Sequence, residues 1–148
     1  MGCDIHMYCE SFSGKLKVFK MTKALNLNRN YSLFGWLADV RNYSMIKPLA
    51  EPRGIPNDVS KKVKVDYDYY NFDAHSASYF TIAELLAVDY KQIVEDRRCT
   101  IDGNGGSTCE EGKGEKMTLE KFIGKEFVDT VARLHYEKVD RIVFWFDN

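Results

Sequence analysis

Proline is nearly missing from this chain: there are three in 148 residues, Pro48, Pro52 and Pro56, all in one short stretch. Proline fixes φ and removes a backbone donor, so residues 47–56 form a stiff connection while the remaining segments are free to enter helices or sheets. An excess of either charge is also lacking. Lys and Arg number 21 against 22 Asp and Glu, a net charge of −1, so no whole-molecule field draws in nucleic acid or an anionic membrane. The basic cluster Lys61-Lys62-Val63-Lys64 reads as a solvated face. No apolar run approaches the ~20 residues of a membrane span. The first residues lack the charged-then-apolar order of a secretion signal, and His6 stands where a myristoylation pattern wants Ser or Thr. Four cysteines, Cys3, Cys9, Cys99 and Cys109, are too few and too irregular for a disulfide framework or a zinc ribbon. The expectation is a reduced, cytoplasmic protein with no membrane partner.

Histidine is scarce too, and its placement is informative. Two of the three histidines sit in the same short pattern, Asp4-Ile5-His6 and Asp73-Ala74-His75. On a strand, residues two apart share a face, which puts Asp4, His6, Tyr8 and Glu10 on one side and Cys3, Ile5, Met7 and Cys9 on the other. The second set is apolar and belongs in a core. The first offers a carboxylate beside an imidazole, a pairing suited to holding a divalent cation or moving a proton. On this strand His6 faces away from Cys3 and Cys9, so the apparent Cys-x2-His-x2-Cys spacing is no metal site. The functional reading requires both Asp-x-His pairs to meet in space.

The rest of the chain supplies the scaffold. Residues 3–10 and 15–20 predict a β-hairpin around Ser13-Gly14. Leu33, Phe34, Leu37 and Val40 predict a core-facing helix over 31–41, whose end presents Asp39, Arg41, Asn42 and Tyr43. Between Pro52 and Pro56, Arg53-Gly54 forms either an anion clamp or a surface turn whose arginine pairs with Glu51 or Asp58. Even spacing of Val63, Val65, Tyr67 and Tyr69 suits a strand or an extended arm, and 73–78 reads as a turn. Thr81-Ile82-Ala83-Glu84 is a capping box opening a helix through about Tyr90. A strand over 92–101, a mobile Gly-rich loop over 102–116 that is no P-loop, and a strong helix over 118–137 follow. Arg141 to Asn148 is aromatic and β-branched, a central strand. If it pairs with the first strand, Asp147 approaches Asp4 and His6. These elements predict a single α+β domain with a mostly antiparallel sheet, amino-terminal hairpin plus carboxy-terminal strand, covered by about three helices.

With Gly-Cys-Asp-Ile-His at the start, Pro-Arg-Gly-Ile-Pro in the middle, Asp-Ala-His-Ser before a helix and Phe-Trp-Phe-Asp-Asn near the end, the chain resembles the small hypothetical proteins carried by bacteriophages and prophages. The resemblance implies a setting, the cytoplasm of an infected host and a role against its defences, and supplies no catalytic residue. Three functions are then in play. One is a metal-dependent hydrolase of a phosphoester or nucleotide, with Asp4, His6, Asp73 and His75 as catalytic ligands of Zn, Mn or Fe, Asp147 or Glu10 completing the shell, and Arg41 or Arg53 neutralising substrate charge. The second is a non-catalytic protein that sequesters a nucleotide-derived signal, with Arg41, Arg53, Tyr43 and Ser76 as candidate ligand-binding residues. The third is an inhibitor binding a host protein, with both Asp-x-His pairs structural.

Overall fold

The computed structural model describes residues 2–99 and 107–148. The chain is an α+β fold built on an antiparallel four-stranded sheet, as its sequence predicts, whose strands lie in the order Val18–Leu25, Asp4–Ser13, Arg141–Asp147, His75–Thr81. It divides into two compact units, residues 1–29, 52–87 and 130–148 in the first, 30–51 and 88–129 in the second.

The first unit holds the sheet. β1 (Asp4–Ser13) and β2 (Val18–Leu25) form the expected hairpin, longer than the pattern indicates. β8 (Arg141–Asp147) pairs with β1 on one side and β3 (His75–Thr81) on the other, and every residue from Arg141 to Phe146 is buried. Its position between two strands explains the composition: neither face meets water, so bulky apolar side chains are favoured on both. The alternation read from β1 holds, with Ile5, Met7 and Cys9 buried and Asp4, His6 and Tyr8 half-buried on the other face. Burial pushes the Cys9 thiol up to about 11, so it stays protonated and packs as an apolar group.

Where the sequence suggests a strand or arm, the chain forms helix α2 (Lys61–Tyr70). The Ser60 side chain accepts from the Val63 N–H and caps it, and Lys62–Asp66 and Lys64–Asp68 pair one turn apart. Val63, Tyr67 and Tyr70, at helical spacing, pack on Trp145 and Val143 of β8, while Val65 and Tyr69 face solvent. The even spacing of apolar residues is therefore two helix faces, one buried and one exposed. A 3-10 turn (Asn71–Asp73) follows, and the segment read as a turn at 73–78 is largely strand β3. The capping box at Thr81 and Glu84 is present but opens only the short α3 (Ile82–Leu86).

In the second unit, α1 (Tyr31–Ala38) is capped by Asn30, whose amide also donates to Ile123 O at 2.7 Å. β4 (Ile93–Asp96) pairs with β7 (Glu115–Thr118), and β5 (Arg98–Cys99) with β6 (Ser107–Thr108). Residues 102–106 of the glycine-rich run lie outside the described residues; its later part is β6, a turn and β7. The long carboxy-terminal helix is two helices, α4 (Leu119–Ile123) and α5 (Lys125–Tyr136), because Gly124 takes φ +99 and breaks the run.

Candidate functional site

The polar face of β1 ends in a cluster centred on His6. Asp4 stands directly opposite Asp147 and His6 opposite Trp145 across the β1–β8 ladder, so the approach of Asp147 expected from the sequence is realised. Two carboxylates facing each other repel, and each draws on its own donor. Arg29 donates to Asp4 from Nε at 2.7 Å and from Nη2 at 3.3 Å, holding its carboxyl below the usual range. His6 Nε2 hydrogen-bonds Asp147 Oδ2. The Arg29 guanidinium lies against Gly2, close enough that a methyl group on that residue would require the arginine to shift.

The other ring nitrogen of His6, Nδ1, lies 3.2 Å from the hydroxyl of Tyr70, the last residue of α2. Burial, and next the charge of Asp147, raise the Tyr70 phenol above its ordinary value, so it remains an O–H donor near neutral pH. A phenol that donates leaves Nδ1 as the acceptor and puts the ring proton on Nε2, facing Asp147. The result is a continuous chain, Tyr70 O–H to His6 to Asp147, with His6 24% and Asp147 27% exposed. Trp145 supports it from below, its ring centroid 6.1 Å from His6, 5.9 Å from Tyr70, and stacked on Tyr8 at 5.1 Å. The Trp145 indole N–H is buried without an acceptor among the described residues. On the β2 side a cleft of about 370 Å³ opens beside Asp4, His6 and Tyr8, walled by Ala24 to Leu27, within the ~300–1,000 Å³ typical of small-molecule sites.

The two Asp-x-His pairs do not meet. Residues opposed in a ladder share a face, and consecutive residues on a strand do not. His6 opposes Trp145 while His75 opposes Phe146, so the imidazoles leave the sheet in opposite directions. Asp73 is exposed in the 3-10 turn. The four-ligand centre expected from Asp4, His6, Asp73 and His75 is thus not assembled, and among the described residues no group of three or more His, Cys, Asp and Glu side chains is placed to hold a metal ion. Asp4, His6 and Asp147 share one face, with the Asp4 carboxylate engaged by Arg29 and Asp147 by His6. Glu10, the other residue considered for the shell, is fully buried and spent on Arg141 and the Ser60 N–H.

The expected ligand-binding residues are dispersed. Arg53 is no open clamp, and its partner is neither Glu51 nor Asp58: both Nη atoms donate to Glu84, at 2.9 and 2.7 Å, and Nη1 also to Tyr79 O. That pairing holds the Glu84 carboxyl down to about 2. Arg41 and Tyr43 belong to the second unit, where Arg41 Nη1 donates to the Tyr43 hydroxyl at 3.3 Å and lies over the Tyr31 ring. Ser76 contacts His75. Tyr70 and Arg29 are the site residues that sequence reasoning missed. For Tyr70 the signal was present: a Ser60 cap and Lys–Asp pairs at helical spacing would have turned 61–70 into a helix ending at that phenol. No family model, curated protein or solved structure matches the chain, so its chemistry is read from its own geometry.

Proposed function

We propose that the protein is a hydrolase of a nucleotide-derived ligand, with the Tyr70–His6–Asp147 chain as its proton shuttle. The observation that carries this reading is the His6 ring, bridging a phenol and a carboxylate beside an open cleft. Tyr70 accepts a proton from the attacking water and passes its own to His6 Nδ1. Asp147 fixes the ring and stabilises the imidazolium that forms, and the proton returns by the same path to the leaving group. Asp4 is neutralised by Arg29, and Asp147, the carboxylate bonded to His6, favours a transition state that gains positive charge over one that gains negative charge. The scissile bond is therefore glycosidic, with an oxocarbenium-like transition state, rather than a phosphoester. The phage-like setting agrees with a nucleotide signal as substrate.

The test is a panel of NAD, ADP-ribose derivatives, cyclic nucleotides and nucleosides, with products read by mass spectrometry. Release of free base is expected, with kcat/KM lowered about 10²–10⁴-fold in His6→Ala and Tyr70→Phe. Unaltered panel compounds, or variants as active as the parent, would reject the proposal. One observation favours a second reading, sequestration without chemistry. Tyr69 and Phe72, either side of the Tyr70-Asn71 pair, are 84% and 94% exposed and offer rings on which a base can stack. Under that reading bound ligand comes back intact when the protein is denatured.

A further inference from the structure

On the opposite face of the same sheet end lies a second constellation, independent of the one above. His75 Nδ1 is 3.1 Å from Ser76 Oγ, and His75 Nε2 hydrogen-bonds Asn148 Oδ1. An amide oxygen only accepts, so Nε2 carries the ring proton, Nδ1 is unprotonated, and the Ser76 hydroxyl points its proton at it. Nucleophile, base and orienting group are therefore present in mutually consistent protonation states. The His75 ring is further held against Phe146, stacked at 6.1 Å.

The backbone of Ser76 adds a separate observation. Its φ is +54, a left-handed conformation that is strained for a non-glycine residue. It arises at a bulge: the β3–β8 register runs His75 to Phe146 and then Ser78 to Phe144, so Ser76 and Ala77 together oppose Trp145. Strain of this kind persists only where the surroundings over-determine it. Here the loop between the prolines does so, with Gly54 N–H donating to Ala77 O at 2.8 Å and Arg53 N–H to Ser78 Oγ at 3.1 Å. The rigid Pro-Arg-Gly-Ile-Pro segment thus pins the bulge that aims Ser76 at His75.

We propose that Ser76 is the nucleophile of an esterase site, with His75 as its general base and Asn148 as the residue that positions His75. The side chains hydrogen-bonded or stacked on the His75 ring, those of Ser76, Asn148 and Phe146, are uncharged, and the Arg53 guanidinium is spent on Glu84. A neutral carboxylic ester therefore suits the site better than a phosphate dianion. Ser76 Oγ bonds to the ester carbonyl carbon as its proton passes to His75 Nδ1. The carbon–oxygen bond to the alcohol breaks, and the alcohol leaves with that proton. Water then attacks the acyl-serine, His75 takes and returns its proton, and the acid is released with Ser76 restored.

The full-length chain is treated with a fluorophosphonate probe, which loses fluoride on capture by an activated serine, and the adduct is mapped by peptide mass spectrometry. Stoichiometric labelling at Ser76 is expected, at least 100-fold slower in His75→Ala and about tenfold slower in Asn148→Ala, with Asn148→Asp restoring the rate because it keeps an acceptor. Ser76→Gly provides a check that does not depend on reactivity: it abolishes labelling yet raises the Tm, since glycine adopts this φ without strain. No adduct on Ser76, labelling of His75→Ala at the parent rate, or a lower Tm for Ser76→Gly would each overturn the proposal. The mapped residue separates this site from hydrolysis at His6.

Discussion

Glu10 and His6 stand on the same face of the same strand, and each bonds an ionisable side chain of β8, yet their surroundings differ. Glu10 is fully buried. Its Oε1 accepts from Arg141 Nε at 2.7 Å and its Oε2 from the Ser60 N–H at 2.8 Å, while Arg141 also binds Asp58 and lies over the Phe19 ring. Each strong donor and acceptor there is matched within the protein, and the cluster ties β1, β8 and the start of α2 together. His6 is bonded on both nitrogens but remains 24% exposed beside a cleft, and its partner Tyr70 is a proton donor held by one hydrogen bond. A polar pair on a sheet face that solvent cannot reach is closed off as structure, whereas one left beside a cleft keeps a side chain that a ligand could touch.

The sharpest way to break the comparison is at its buried end. Glu10→Ala leaves Arg141 buried without its main partner, and a loss of about 3–5 kcal/mol of unfolding free energy is expected in urea titration. A change under 1 kcal/mol would show that Glu10 is no more committed than His6. At the other end, Asp147→Asn should cost only about 1 kcal/mol of stability, while, under the proposed function, kcat on whichever panel compound is hydrolysed falls about 10²–10⁴-fold because the imidazolium loses its stabiliser. Equal damage to stability and turnover would erase the distinction.

An intermediate case is Arg53–Glu84, whose side chains are 31% and 39% exposed. The Glu84 carboxyl titrates lower in the folded chain, at about 2, than its ordinary 4.5. Its contribution is therefore complete above about 4.5 and disappears as pH falls towards 2. Arg53→Gln should reduce the loss of stability over that window while lowering stability at pH 7 by less than about 1 kcal/mol, given the exposure of the pair. Thermal melts from pH 2 to 7 on both proteins measure it. Smallest of all, Lys64→Ala removes a largely exposed pair with Asp68 on α2; a change of about 0.3 kcal/mol or less in chemical denaturation is expected.

Legibility followed the kind of signal. Strict alternation in β1 correctly separates Ile5, Met7 and Cys9 from Asp4 and His6, because a strand with one face in the core has no other way to bury three apolar residues. The apolar run from Ile142 to Phe146 likewise announces a central strand. Over 61–70 the same rule misleads, since Val63 and Tyr67 suit a strand as well as they suit a helix; the arbiters are the Ser60 cap and the Lys–Asp pairs. In the carboxy-terminal helix the apolar pattern runs through Gly124 unbroken, and only its positive φ divides α4 from α5.

By itself the sequence determined which side chains would stand together along one strand, because pleating fixes that over a few residues. It also put on offer carboxylates, two candidate imidazoles, arginines, a serine and a cluster of rings. Tertiary structure alone decided that β8 would lie between the two Asp-x-His segments, sending His6 and His75 to opposite faces, and that α2 would end with Tyr70 against His6. Those outcomes depend on strand order and on which helix turn meets which strand. Both are set by the packing of residues more than sixty positions apart, which no local pattern encodes.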